Sequence, residues 1–152
     1  MLNTQTIRDT LALERKVYGA SLSSSFDNVV QRVNKCPESI YTLYCGAELM
    51  AFAYAYPITR DMQKTIRLCS EVLWYDNVTA TDIDCKSNTV YVQSLIVDPM
   101  YQKCGLGSTL LQMICSKYPN KNMIACVTTE AGQALAENFN LRPIGGYYYS
   151  NN

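Results

Sequence analysis

The stretch from Thr89 to Lys117 restricts the fold more than any other part of the chain. It begins with "TVYVQSLIV", a run rich in β-branched and aromatic residues, which predicts a buried strand. "DPMYQKC" follows, and then "GLGSTLLQMICSK", which predicts an amphipathic helix over Gly105–Lys117. Leu106, Leu110, Met113 and Ile114 share one face of that helix, and Pro119 stands beyond its end. A second apolar run, "NMIACVTT", comes next. Strand, helix and strand in that order require a parallel pair joined by a crossover.

The turn between the first strand and the helix has its own chemistry. Amides of residues 103–108 precede or open the helix and have no helical acceptors. The helix dipole adds about half a positive charge there. Glycine at 105 and 107 lets a phosphate approach the backbone, and Lys103 adds a full charge. The turn is an anion site suited to a diphosphate; a glycine turn that merely packs helix on strand is the plainer alternative. No Gly-Lys-Ser/Thr follows four residues after the first glycine, so it is not a nucleotide P-loop. The third glycine of the dinucleotide fingerprint is also missing.

Composition removes several function classes. Thirteen basic and thirteen acidic residues cancel, so no global field attracts nucleic acid or an anionic membrane. No apolar run reaches the roughly 20 residues of a spanning helix. "MLNTQTIRDT" has no apolar signal core, and a cytoplasmic location is expected. The seven cysteines are odd in number and form no CxxC pair, and histidine is absent. That argues for reduced thiols, against a metal site, and against any Ser-His or Cys-His mechanism. A length of 152 residues fits a single domain over 1–152.

The remaining elements are expected as follows. Thr6–Tyr18 forms a first helix capped by Thr6, with Ile7, Leu11 and Tyr18 on one face. "SFDNVVQRV" forms a second. "SIYTLYC" and "ELMAFAYAYP" form a hairpin about Gly46. Residues 57–88 mix residue types, only "IRLCSEVLW" looks regular, and a functional loop is expected there. Thr128 or Thr129 caps a last helix with Ala131, Leu135, Asn138 and Phe139 inward, and "PIGGYYYS" forms a closing strand.

The order L-x-V-x-P-x-x-Q-x-x-G-x-G-x-x-L-L covers Leu95, Val97, Pro99, Gln102, Gly105, Gly107, Leu110 and Leu111. It resembles motif A of the GNAT N-acetyltransferase superfamily. "ALERKVYGASLSSSFDNVVQRVNKCPESIYTLYCGAELMAFAYAYP" and "ALAENFNLRPIGGYY" resemble the family's N- and C-terminal parts. The resemblance implies a mixed α+β (α/β) fold: a central mixed sheet with a splayed parallel strand pair and helices on both faces. It implies acetyl-CoA as co-substrate between residues 90–97 and 122–128. Pantetheine would pair with backbone at Leu95, Ile96 and Val97. The diphosphate would rest on Gln102, Lys103, Cys104, Gly105, Leu106, Gly107 and Ser108. Thr129 stands where the family often has an asparagine that contacts pantetheine. Transfer is direct, so Cys104 offers its amide and not a nucleophile.

The chemistry is less complete. Family bases often occupy the positions of Tyr91 and Gln93. Strand periodicity puts both on one face with Leu95 and Val97. Gln93 can hold a water or the amine; Tyr91 is either a proton relay or an ordinary strand aromatic. The family's thiolate-protonating tyrosine is Ala136 here, with Asn140 and Leu141 replacing the usual glycine and aromatic. Tyr147, Tyr148 and Tyr149 are substitutes or packing residues. For the acceptor, Glu14 either holds an ammonium group or is a solvated edge charge. Trp74, Tyr75 and Asp76 either enclose an amine or, in the case of Trp74, pin the loop. The expected activity is direct N-acetylation of a primary amine on a small molecule. A protein or peptide amine, and a non-catalytic acyl-CoA-binding regulator, are the alternatives; a homodimer is compatible with either.

Overall fold

Alternation of small and large residues along one strand explains how the layers stack. In a computed structural model, which describes residues 3–69 and 77–152, strand β2 (Glu48–Pro57) turns Ala51, Ala53 and Ala55 to one face. Phe52, Tyr54 and Tyr56 fill the other. The alanine face admits helix α4 (Leu106–Lys117), whose Leu110, Leu111 and Ile114 are buried in the same cluster. The aromatic face packs against α1 (Thr4–Tyr18) and α2 (Phe26–Lys35) through Ile7, Leu11, Val29 and Val33. The other elements are β1 (Ile40–Cys45), α3 (Arg60–Leu68), β3 (Thr89–Val97), β4 (Asn122–Cys126), α5 (Glu130–Asn138), β5 (Arg142–Gly145) and β6 (Tyr148–Ser150).

The six strands lie in the order β1-β2-β3-β4-β6-β5. β3 and β4 run parallel, and every other neighbouring pair is antiparallel. The mixed sheet with one parallel pair, carried between helices, is the architecture expected above. No helix among the described residues is long and apolar enough to cross a membrane.

Several local expectations need correction. Asn3, not Thr6, caps α1, accepting from the amides of Gln5 and Thr6. The buried stripe of α4 uses Leu111, whereas Met113 is 38% exposed. Ala136 is the buried residue of α5, while Ala131 and Asn138 face outward. "PIGGYYYS" is a hairpin and not one strand, because Gly145 and Gly146 both take positive φ and turn β5 into β6. The first three residues of "IRLCSEVLW" end α3, a helix capped by Thr59 through the amide of Met62 and anchored by Met62 and Ile66.

The largest correction concerns β3. Tyr54 pairs with Ser94 but Ala55 pairs with Val92, so Gln93 is an extra residue, a β-bulge. The bulge shifts the side-chain phase by one. Before it, Val90 and Val92 face α4 and Tyr91 faces the α1/α2 side; after it, Leu95 and Val97 face α4 and Ile96 the other side. Tyr91 therefore does not share a face with Leu95 and Val97, as strict alternation predicts.

Candidate active site

The sheet opens where its two halves take different partners. β3 and β4 pair from Thr89↔Asn122 to Val92↔Ala125 and then separate. β3 stays on β2, with Leu95 opposite Ala53 and Val97 opposite Ala51. β4 follows β6, with Cys126 opposite Tyr148, and the Val127 amide donates to the Tyr147 carbonyl at 2.7 Å. The wedge between them is a cleft of about 100 Å³. Val92 to Leu95 form one wall and Ala125 to Thr129 the other. Leu111, Leu135, Ala136 and Leu141 close it from the α4/α5 side, and Tyr18 of α1 reaches it from the opposite side.

β3 leads directly into the glycine turn. Asp98 caps the short turn Pro99–Tyr101 by accepting from the Met100 amide at 2.9 Å. Its other oxygen accepts from Lys16 Nζ at 2.8 Å. The Lys16 ammonium, then the Met100 amide, hold the Asp98 carboxyl below the usual carboxylate range. Lys103 and Gly105 have φ of 64° and 77°. Among the described residues, no backbone acceptor serves the amides of Gln102 through Ser108. Gly105 is the N-cap of α4 and no side chain caps that end. Free amides, an exposed Lys103 and a helix N-terminus thus converge at one end of the cleft.

The two glycines do different work. At Gly105 a Cβ meets nothing within 4 Å, and the left-handed φ is what calls for glycine. At Gly107 a Cβ meets Leu135 Cδ2 at 3.3 Å and Leu95 Cδ2 at 3.6 Å. Gly107 therefore also keeps α4 close to the cleft walls. The exposed Cys104 thiol donates to the Gln102 carbonyl at 3.6 Å. The Thr129 hydroxyl caps α5 through the Gly132 amide at 3.0 Å, and Thr129 also lines the cleft.

Polar residues around the bulge divide into core and cleft. Tyr91 is fully buried between Tyr56 and Tyr148, its ring 6.2 and 6.4 Å from theirs. Its hydroxyl has no hydrogen-bond partner among the described residues, and burial raises its pKa well above the usual tyrosine value. Gln93 is buried, lines the cleft and accepts from the Tyr56 hydroxyl. Ser94 also lines the cleft, 6% exposed, and its hydroxyl has no partner among the described residues. Sequence reasoning passed over Ser94, since only the bulge reveals its place. Glu14 is neither a solvated edge charge nor open to solvent. It is fully buried and accepts from the Ser24 amide at 2.7 Å and the Ser24 hydroxyl at 3.3 Å. Arg32 donates to the same hydroxyl at 3.3 Å and stacks over Tyr54. Trp74, Tyr75 and Asp76 lie outside the described residues. Among the described residues, no group of three or more Cys, Asp or Glu is placed to hold a metal ion.

The sequence model of the Acetyltransferase (GNAT) family matches residues 8–142. The chain belongs to the GNAT acetyltransferase family. Solved GNAT structures share its fold. The GNAT-like decarboxylase GphF, in complex with isobutyryl-CoA, is 19% identical with a TM-score of 0.67, over 90% of this chain and 69% of that one. The loading GNATL domain of CurA from Lyngbya majuscula is 15% identical with a TM-score of 0.67, over 98% and 94%. The ribosomal-protein-S18-alanine N-acetyltransferase from Escherichia coli is 16% identical with a TM-score of 0.59, over 93% and 74%. No curated protein sequence matches this chain.

At the position that the resemblance aligns with the family's thiolate-protonating tyrosine, this GNAT protein has alanine. Ala136 lines the cleft, 3% exposed, and brings no hydroxyl. Tyr148 is buried on the α1/α2 side, Tyr149 packs on the α4 side, and Tyr147 is 46% exposed. None of the three lines the cleft. Cys126 does, but burial, with Cys69 nearby, pushes its thiol up to about 11, which keeps it protonated at neutral pH.

Proposed function

We propose that this GNAT protein transfers the acyl group of acetyl-CoA, or of a close homologue, directly to the primary amine of a small molecule. One observation carries the reading: the β3/β4 wedge runs into a turn whose amides, from Gln102 to Ser108, lack backbone acceptors among the described residues. Those amides, Lys103 and the α4 dipole hold the diphosphate. The β4-facing edge of Leu95–Val97 pairs with the pantetheine amides. In the transfer the amine nitrogen bonds to the acyl carbon, the C–S bond breaks with its electron pair on the departing CoA sulfur, and the amine proton leaves to water, which in turn protonates the thiolate. Gln93 and Ser94 border the reacting end, where they position the amine or its water. The balanced charge of the chain supports a small acceptor over a charged macromolecule. Seven free cysteines support a reducing compartment such as the cytoplasm.

Ala136 favours a second reading, in which the chain binds acyl-CoA without turnover. Thiol release from acetyl-CoA across a panel of small amines and peptides separates the two. Release with a small amine supports the first reading, release with peptides alone moves the acceptor to protein, and binding without release selects the second. Binding itself has its own test. CoA should raise the Tm of the parent. Ser108→Glu adds an acid to the first turn of α4, which suits the helix but opposes a diphosphate. The variant should fold normally and lose most of the CoA-induced shift; a shift equal to the parent's would place the diphosphate elsewhere.

A further inference from the structure

We propose that the apex of the cleft seats an uncharged, apolar acyl chain, and that Ala136 and Ala125 set the length it accepts. The inference rests on the acyl-CoA reading and names the acyl class within it. With the diphosphate at the turn, the thioester is the end that reaches deepest into the wedge. The strands part after Val92↔Ala125, so that pair marks the apex. Five side chains from β3, β4, α4, α5 and the segment after α5 enclose it: Val92, Ala125, Leu111, Ala136 and Leu141. Their exposures run from 1% to 8%, and all belong to one apolar cluster.

The polar lining lies elsewhere. The bulge turns Ser94 and Gln93 to the α1/α2 side, beside Tyr54 and Tyr56. Thr128 and Thr129 stand at the α5 N-terminus, toward the mouth. An acyl chain extending past its carbonyl toward α4 and α5 therefore meets the apolar side chains of these five residues. Two of the five enclosing side chains are single methyl groups, so the space is set by what Ala125 and Ala136 omit. Among the described residues, no lysine or arginine lines the cleft. A dicarboxylic acyl group would bury its second carboxylate without a counter-charge, which is strongly unfavourable.

The test measures equilibrium affinity and thiol release for CoA and for its acetyl, propionyl, butyryl, isobutyryl and malonyl thioesters. Each methylene buried in an apolar site is worth about fourfold in affinity. Affinity of the parent should rise by about that factor from acetyl to propionyl, and again to butyryl or isobutyryl. Malonyl-CoA should gain nothing over acetyl-CoA. Ala136→Leu places an isopropyl group in the apex and should lower the butyryl-to-acetyl affinity ratio by about tenfold. Ala125→Val repeats the test on a strand position that suits a β-branched residue, should the helix variant fold poorly. A flat series in the parent, or variants that weaken every thioester equally, would overturn the apex assignment while leaving CoA binding intact. Absence of binding to CoA itself would instead remove the acyl-CoA reading beneath it.

Discussion

A hydroxyl group is informative when it is buried and has nothing to bond. Tyr91 and Ser94 both fit that description, yet they stand on different ground. Tyr91 is enclosed by Tyr56 and Tyr148 and does not line the cleft. Its pKa, raised by burial, opposes ionisation at neutral pH. Tyr91→Phe should leave the rate and its pH profile within about twofold of the parent, well below the roughly hundredfold loss expected of a proton relay. It should also leave stability unchanged or raise it by about 1 kcal/mol, by removing an unsatisfied polar group. Ser94→Ala should instead lower the rate while urea unfolding stays close to the parent's. A Tyr91→Phe variant slowed a hundredfold, or a Ser94→Ala variant at full rate, would reverse these assignments. Part of the site was hidden for a physical reason. A single strand's sequence carries alternation but not the partner's register, so a one-residue bulge at Gln93 is invisible until β2 is laid beside it. Glu14 was hidden in a similar way: its place on the α1 stripe was legible, but Ser24 comes from the loop before α2 and Arg32, bonded to Ser24, from α2 itself.

Elements were easier to read where pattern and length agreed. β3 and α4 were legible because a long β-branched run and a long amphipathic run flank a polar turn. α3 was not, because nine residues with Met62 and Ile66 as its buried anchors carry a weak periodic signal among charges. The contact between α1 and the turn after β3 was equally out of reach, since Lys16 and Asp98 are distant in sequence. That contact makes a prediction about pH. Asp98 has a depressed folded pKa, so its stabilising contribution is present above the unfolded value of about 3.9 and is lost as pH falls toward the folded one. Asp98→Asn should make Tm less dependent on pH between about 5 and 3. It should also weaken the CoA-induced shift, because Asp98 caps the turn that leads to Gln102. An unchanged slope would mean that the Lys16 ion pair contributes nothing to holding α1 against the turn.

At the scale of the whole molecule, the mixed sheet followed from the order of elements, and the family pattern sharpened it to a splayed pair. What the order could not supply is how the splay arises: β3 is held by β2, while β4 is drawn toward β6. The cost of that arrangement is an unfinished sheet. Beyond Val92 and Ala125, the β4-facing edge of β3 is a strand edge inside the molecule rather than at its border. Edges of this kind invite extended chains, and proteins usually cover or shorten them. On the acyl-CoA reading proposed above, the substrate's own amide-bearing arm would supply the cover, and the protein should be most vulnerable to strand addition when it is empty. Hydrogen exchange should register this directly. Amides of Gln93 to Val97 on the β4-facing edge should exchange faster than those of Thr89 to Val92, and CoA should slow them selectively. Equal protection along β3 in the empty protein would mean that the wedge closes in solution. The same interior edge predicts that aggregation during heating depends on ligand, and CoA should suppress it beyond what its effect on Tm accounts for.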